Sequence, residues 1–306
     1  MRSATDLSGR SIVITGANSG IGLEATRELA RRGASVTLAC RSSERAAAAI
    51  ARLRSDIPDA ELRSVTCDLA SLSSVRSAAD ELLATHPRID VLVNNAGIMA
   101  VPAARSVDGF EVHLATNHFG HFALTGLLLP RLLEQPGARI VSVASLMYRF
   151  ARLDFHDLHS TDDGRWRAYA TSKLANLLFI HELQRRLSAA SADAIAVACH
   201  PGFAATELQN PAMAKVPGAV RRIADRAVRL SAQSPADGAA PVVYAAVHPG
   251  LHGGEFVGPG GAFGLRGDPE VASLPAAATD IHDSIELWKQ SVELTGLDPA
   301  QAIGNP

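Results

Sequence analysis

The chain has 306 residues, 47% of them hydrophobic, and a formal net charge of −2. This length and composition support a large core, and α/β chains of this size often form one domain. The near-neutral charge, without a basic run, lacks the electrostatic signature of a nucleic-acid-binding protein. Three cysteines far apart in the sequence argue against a disulfide framework or a zinc site.

The sequence pattern predicts neither a secretory leader nor a membrane span. The N-terminal region has no secretory leader, and no stretch reaches the roughly 18 apolar residues of a membrane span. We therefore expect a cytoplasmic protein without an integral membrane segment.

The first predicted strand, Ser11 to Thr15, leads through a glycine-rich turn into a predicted helix over Leu23 to Arg32. Gly16 permits a tight turn, Gly20 allows close approach of a pyrophosphate, and Gly22 allows helix and strand to pack closely. The helix N-terminus then faces the anion. The spacing is G-x-x-x-G-x-G rather than G-x-G-x-x-G, but its position predicts a dinucleotide site. The predicted contacts in this turn are Gly16, Asn18, Ser19, Gly20, Ile21 and Gly22.

The second predicted strand, Ser35 to Ala39, ends at Cys40-Arg41. An acidic residue at this tip would bind the ribose 2′-hydroxyl of NAD, and none is present. Arg41, and Arg45 one helical turn later, suit a 2′-phosphate, which needs a cationic donor. Alternatively, both arginines are solvated charges at a helix start. The missing carboxylate favours NADP (NADPH) over NAD.

Strands and helices alternate through most of the remaining chain. Further strands are predicted over Leu62 to Cys67, Ile89 to Val93, Arg139 to Ala144, Ala194 to Cys199 and Gly254 to Val257. Further helices are predicted over Ser42 to Ser55, Ser71 to Thr85, Asp108 to Leu129, about Tyr169 to Ala189, Pro235 to Val247 and Asp280 to Leu294. The alternation predicts a single Rossmann-type domain over residues 1–306. Its doubly wound parallel sheet has about seven strands, helices on both faces, and ligands at the strands' C-terminal ends.

Two segments lie outside this alternation. Residues 203–234 are irregular, then basic and amphipathic, and are interpreted as a mobile substrate lid. Its apolar residues suit an apolar or bulky substrate: Phe203, Leu208, Met213 and Val216. Residues 260–306 form a C-terminal extension whose terminal helix is expected to dock on the body.

Tyr169 and Lys173 are four residues apart at the start of an apolar, helically spaced segment. On a helix both side chains share one face. A free tyrosine has a pKa of about 10, and a nearby ammonium favours the phenolate. The pair is therefore a candidate proton-transfer device, although the same spacing occurs on ordinary helix surfaces.

Taken together, these motifs resemble the short-chain dehydrogenase/reductase family, and the resemblance covers nearly the whole chain. The residues that carry it, in the family's order, are Thr15 to Gly22, Asp68-Leu69, Asn94 to Gly97, Asn117, Ser145, Tyr169 with Lys173, and Pro201-Gly202 followed by Thr206. Three further features resemble the retinol dehydrogenase and protochlorophyllide reductase branch. They are Ala39-Cys40-Arg41, the run Asn117 to Phe122, and the long gap between Ser145 and Tyr169.

The resemblance implies a catalytic set. Tyr169 would exchange a proton with the substrate oxygen, and Lys173 would favour its phenolate and bind the nicotinamide ribose. Ser145 would hold the substrate oxygen, and Asn117 would hold a water that links Lys173 to solvent. The nicotinamide would carry the hydride.

The resemblance also implies the other cofactor contacts. Asp68 would touch the adenine, and Thr206 would meet the carboxamide or the pyrophosphate. Further contacts are expected at Leu69, Asn95, Ala96, Gly97, Pro201 and Gly202. A homodimer through the helices around Asn117 and Tyr169 is one expectation, and cover of part of that surface by the segment after Gly260 is another.

The leading functional hypothesis is an NADP-dependent oxidoreductase that interconverts a carbonyl and an alcohol, with an apolar small-molecule substrate. One alternative is NADPH-dependent reduction of a carbon–carbon double bond with the same residues. Another is an inactive cofactor-sensing protein, against which the intact Ser145, Tyr169 and Lys173 argue. His118 and His121 have a spacing compatible with a metal, but no carboxylate or cysteine beside them completes a ligand set.

Overall fold

A computed structural model describes residues 5–158, 161, 164–202 and 233–303. Its strands are β1 Ser11–Thr15, β2 Ser35–Cys40, β3 Leu62–Thr66, β4 Val91–Asn94, β5 Ala138–Val143, β6 Ala194–Cys199, β7 Phe256–Pro259 and β8 Pro269–Ala272. Its α-helices are α1 Gly20–Arg31, α2 Ser43–Asp56, α3 Leu72–Thr85, α4 Val112–Leu114, α5 Gly120–Leu133, α6 Arg165–Ala189, α7 Pro235–Val247, α8 Ile281–Thr295 and α9 Ala300–Ile303.

The eight strands form one sheet in the order β3-β2-β1-β4-β5-β6-β7-β8. All neighbouring pairs are parallel except β7 with β8, which is antiparallel. The doubly wound parallel sheet is therefore confirmed. The eighth strand was not predicted, because Pro269–Ala272 is half exposed and lies in a stretch that resembles a loop. Strand β7 also begins two residues later than predicted.

Side chains alternate across the sheet and build one core on each face. In β1, Ile12 and Ile14 join the core under α1 and α7, whereas Val13 joins the core under α3, α5 and α6. This is the period of two expected for a strand covered on both sides. The parallel order reverses between β1 and β4, so the loops after these two strands open a crevice at the sheet's C-terminal edge.

Polar caps define where several helices begin. Ser42 accepts a hydrogen bond from the Arg45 amide at the start of α2, and Ser71 accepts one from the Ser74 amide at the start of α3. At α7, Ser234 and Asp237 form a reciprocal capping box. Such side chains satisfy amide groups that have no partner within the helix.

The helix predicted over Asp108 to Leu129 begins later, at Val112, and continues to Leu133. Its middle, Ala115–Phe119, is a π-helical segment in which the Gly120 amide donates to the Ala115 carbonyl. A π-turn of this kind is rare and is often found at functional sites. The segment contains Asn117.

The C-terminal extension packs on the body, with α8 against α6 and α9 against α5. Trp288 of α8 is buried between Phe122 and Phe179, at centroid distances of 5.2 and 6.0 Å. The Arg186 guanidinium lies 4.5 Å from the Trp288 ring centroid, within cation–π range. Among the described residues, no helix is both long and apolar enough to cross a membrane.

Candidate active site

The glycine-rich turn after β1 leaves no room for a side chain at Gly16 or at Gly22. Gly16 has a φ of +65°, and a Cβ there would lie 2.9 Å from the Cα and Cβ of Ala96. A Cβ on Gly22 would lie 2.5 Å from Asn95 Nδ2 and 2.6 Å from the Gly16 carbonyl oxygen. Helix α1 begins at Gly20, and the Ser19 side chain makes no capping hydrogen bond to it. The first amides of α1 therefore have no side-chain cap, and the start of the helix borders the cleft, an arrangement that suits an anion.

The loop after β4 is tied directly to this turn. Asn95 Nδ2 donates to the Thr15 carbonyl oxygen at 2.8 Å. The amides of Asn95 and Ala96 both donate to Thr15 Oγ1, each at 2.9 Å. Thr15, at the end of β1, therefore fixes the loop that faces the glycine turn.

The tips of β2 and β3 form the next part of the crevice. Arg41 and Arg45 are exposed and border it. Asp68 Oδ1 accepts a hydrogen bond from the Ala70 amide at 3.0 Å, which shapes the turn after β3. Burial and the adjacent Asp68 carboxylate raise the pKa of the Cys67 thiol to about 12, so this cysteine stays protonated and unreactive.

Tyr169 and Lys173 are both buried on α6 and border the same crevice. Lys173 Nζ donates to the Val143 carbonyl oxygen at 2.8 Å and lies 5.9 Å from the Tyr169 ring centroid. A Cβ on Gly97 would come within 3.4 Å of Lys173 Nζ. The cation therefore lies between the end of β5 and the loop after β4, next to the tyrosine.

Asn117 uses its side chain to join two parts of the site. Its Oδ1 accepts from the Ile98 amide at 2.8 Å, and its Nδ2 donates to the Ile98 carbonyl at 3.0 Å. Nδ2 also donates to Ser172 Oγ at 2.9 Å, and Ser172 Oγ donates to the Tyr169 carbonyl at 2.7 Å. Asn117 therefore links the loop after β4 to the helix turn that carries Tyr169.

Ser145 begins the 3₁₀ segment Leu146–Phe150, and its Oγ accepts a hydrogen bond from the Met147 amide at 3.3 Å. The bond occupies a lone pair and not the hydroxyl hydrogen, so Ser145 keeps the ability to donate.

One cleft of about 690 Å³ unites most of the predicted residues. Those that border it are Gly16, Asn18, Ser19, Ile21, Gly22, Arg41, Asp68, Leu69, Asn95, Ala96, Gly97, Tyr169, Lys173 and Pro201. Gly20, Asn117, Ser145 and Gly202 are predicted residues that do not border it. Thr206 and almost all of the predicted lid lie outside the described residues.

The cleft also has walls that sequence reasoning did not select, among them Cys40, Cys67, Met99, Val112 and Thr116. Cys40 ends β2, Cys67 and Met99 lie in loops that follow strands, Val112 begins α4 and Thr116 lies in the π-helical segment. No residue type distinguishes them in the sequence. His121, for which the sequence predicts no individual role, lies 2.8 Å from Thr15 Oγ1 through Nε2. His118 Nε2 lies 2.8 Å from Ser291 Oγ, so the two histidines contact different partners.

The fold and the cleft together define a dinucleotide-binding α/β protein. Residues 10–217 match the sequence profile of the short chain dehydrogenase family. Dehydrogenase/reductase SDR family member 13 from Bos taurus is 40% identical over 98% of this chain and 77% of that protein. Retinol dehydrogenase 12 from Mus musculus is 43% identical over 65% of this chain and 63% of that protein. The crystal structure of an uncharacterized protein from Mycobacterium paratuberculosis superposes with a TM-score of 0.80, at 41% identity and 97% coverage of both chains.

The chain belongs to the short-chain dehydrogenase/reductase family, whose members are NAD(P)-dependent oxidoreductases. The residues present fit such a cofactor. The absence of a Cβ at Gly16 and Gly22 lets the turn pack against the loop after β4, and the α1 N-terminus beside the turn suits a pyrophosphate.

Proposed function

We propose that this protein is an NADP(H)-dependent oxidoreductase that interconverts an apolar carbonyl compound and its alcohol, with Tyr169 as the proton carrier. The observation that carries the proposal is the position of Lys173. Its ammonium is held by the Val143 carbonyl at 2.8 Å, beside the Tyr169 ring. Both side chains border the cleft that contains the glycine turn.

Each residue has a chemical task that follows from its surroundings. The buried Lys173 cation favours the phenolate form of Tyr169, because an adjacent positive charge stabilises the anion. Tyr169 can then take a proton from an alcohol, or give one to the oxygen of a carbonyl. Ser145 donates its hydroxyl hydrogen to the same substrate oxygen, and this bond strengthens as negative charge develops there.

Different residues of the cleft bind different parts of the cofactor. The glycine turn and the α1 N-terminus take the pyrophosphate, and Asp68 and Leu69 flank the adenine end. Lys173 takes the nicotinamide ribose. The nicotinamide, when bound, supplies the site from which hydride is given or received.

A preference for NADP(H) is supported by Arg41 and Arg45 at the cleft's edge, where both can pair with a 2′-phosphate. The test is a fluorescence titration with NADPH and, separately, with NADH. We expect tighter NADPH binding, and loss of that preference in Arg41→Ala. Arg52→Ala, an exposed arginine on α2 that does not border the cleft, is the control. Equal or tighter NADH binding by the unmodified protein would overturn the NADP preference.

An apolar substrate is supported by two exposed aromatic side chains near the predicted catalytic residues. Phe150 ends the segment that Ser145 begins, and Trp166 lies three residues before Tyr169. Their side chains are 74% and 44% exposed. Similarity to a retinol dehydrogenase favours an alcohol or carbonyl over a carbon–carbon double bond.

The chemical proposal is tested by screening aliphatic, aromatic and isoprenoid aldehydes with NADPH. With the best of them, Tyr169→Phe is expected to lower kcat by about 10²- to 10⁴-fold, the usual contribution of a positioned acid or base. NADPH affinity should stay close to that of the unmodified protein. Unchanged turnover in Tyr169→Phe would remove Tyr169 from proton transfer.

A further inference from the structure

His121 lies behind the cleft, fully buried, and contacts two functional elements at once. Its Nε2 is 2.8 Å from Thr15 Oγ1, at the start of the glycine turn. Its Nδ1 is 2.9 Å from the carbonyl oxygen of Asn117 in the π-helical segment. A single imidazole therefore spans from the cofactor-binding turn to Asn117.

The hydrogen bonds around Thr15 fix the protonation of this histidine. Thr15 Oγ1 already accepts from the Asn95 and Ala96 amides. A hydroxyl oxygen has two lone pairs and one hydrogen, so Oγ1 cannot accept from His121. Its hydrogen points either to Nε2 at 2.8 Å or to the more distant Val93 carbonyl oxygen at 3.4 Å. The Asn117 carbonyl can only accept, which places the ring hydrogen on Nδ1. Nε2 must then be the unprotonated nitrogen, and the Nδ1 hydrogen is donated to the Asn117 carbonyl. Burial lowers the pKa of His121 to about 4, in agreement with a neutral ring.

We propose that His121 is a positioning residue that holds the glycine turn, the Asn95-Ala96 loop and the Asn117 carbonyl as one unit. Through Thr15 it orients the hydroxyl that anchors the loop facing the cofactor. Through Nδ1 it fixes the carbonyl of a residue expected to belong to the catalytic set. The inference about turnover rests on the proposed function, whereas the inference about cofactor binding rests on the geometry alone.

The two ring nitrogens can be replaced separately. Asparagine places a side-chain amide near the position of Nδ1, so His121→Asn keeps a donor for the Asn117 carbonyl and removes the acceptor for Thr15. Glutamine reaches the position of Nε2, so His121→Gln keeps the acceptor and removes the donor. His121→Phe removes both and keeps the ring volume.

Cofactor dissociation constants and kcat distinguish these variants. We expect His121→Asn to weaken NADPH binding on the order of tenfold, as for loss of a buried hydrogen bond that leaves its partner unsatisfied. We expect His121→Gln to bind NADPH nearly as the unmodified protein does but to turn over more slowly. His121→Phe should show both effects. Thr15→Val combined with His121→Asn should bind NADPH no more weakly than Thr15→Val alone, because Thr15→Val already removes the bond to His121 together with the acceptor for the Asn95 and Ala96 amides.

His118→Asn is the matched control, since His118 is a buried histidine three residues away whose partner is Ser291. It should change thermal stability without changing the NADPH dissociation constant. If folded His121→Phe bound NADPH and turned over substrate like the unmodified protein, or if the Thr15 and His121 effects were additive, the proposal would be wrong. Retained turnover in Tyr169→Phe would instead refute the proposed chemistry and leave the cofactor-binding result intact.

The tautomer gives a second test that needs no substrate. Nitrogen-15 spectra of histidine-labelled protein separate Nδ1–H from Nε2–H rings, and His121→Phe assigns the resonance. A neutral Nδ1–H ring is expected at pH 7. An Nε2–H ring would overturn the inferred direction of both hydrogen bonds, and with it the proposal.

Discussion

Replacing Gly16 by alanine tests whether the closeness of the glycine turn to the loop after β4 is needed for stability and for cofactor binding. Gly16 has a φ of +65°, a conformation that costs an L-residue about 1–2 kcal/mol. The new Cβ would also lie 2.9 Å from two carbon atoms of Ala96, and overpacking of this kind costs about 1–3 kcal/mol. The expected loss in free energy of unfolding is therefore about 2–5 kcal/mol.

Gly137 offers a control with nearly the same backbone. Its φ is +66°, and nothing lies within 4 Å of a Cβ built there. Gly137→Ala should lose only the conformational part, about 1–2 kcal/mol. Any stabilisation from a less flexible unfolded chain is shared by the two variants, so their difference isolates the contact with Ala96.

Urea unfolding measures both stabilities, and a fluorescence titration measures NADPH affinity. Gly16→Ala should be the less stable of the two variants, and only it should bind NADPH more weakly, because Ala96, which borders the cleft, must shift to make room. Equal stability losses together with unchanged NADPH affinity in Gly16→Ala would refute the reasoning.

Other perturbations test packing and titration. Trp288→Ala should lose about 3–5 kcal/mol in free energy of unfolding, as for other buried large aromatic residues, while Ile281→Ala on the exposed side of α8 should lose less than about 0.5 kcal/mol. Equal losses in urea unfolding would contradict the buried position of Trp288. Burial lowers the pKa of His118 to about 3 and of His121 to about 4, below about 6.5 in an unfolded chain. The unfolded state therefore binds more protons from about pH 4 to 6.5, and urea unfolding should show stability rising with pH there by up to about 1.4 kcal/mol per unit for each histidine. A flat profile below pH 6.5 would show that these rings titrate normally. Burial raises the pKa of Cys199 from 9.0 to about 12, so stability should fall as pH rises above about 9, and Cys199→Ala should remove that part of the decline.

The parallel part of the sheet could be predicted from sequence because its strands are apolar runs that end at polar or glycine-rich turns. Ser11–Thr15 and Ala194–Cys199 were placed at the residues where the structure has them. Strand β8 could not be found this way. Val271 is 50% exposed, and the strand forms only because its backbone pairs with β7.

In the candidate site, too, some features could be predicted from the sequence and others could not. Glycines reveal close backbone approach by their type, so Gly16 and Gly22 could be identified from the sequence. The contacts of Asn117 could not be identified in this way, because its side chain forms hydrogen bonds with Ile98 and Ser172, and only the fold brings these two residues together. The hydrogen bond between His121 and Thr15 joins residues that are 106 positions apart in the sequence. Nothing in the spacing of His118 and His121 indicates a threonine as the partner of His121.

The position of α8 also affects the order in which parts of the protein fold during synthesis. Chains fold from the N-terminal end as they are made, and the strands from β1 to β6 are complete by Cys199. Helix α6, which carries Tyr169 and Lys173, must wait about a hundred residues longer for Trp288 to cover Phe179. Until then an apolar face of this helix is exposed, a state that favours aggregation. A stalled or shortened chain would therefore contain every predicted catalytic residue and still be a target for chaperones.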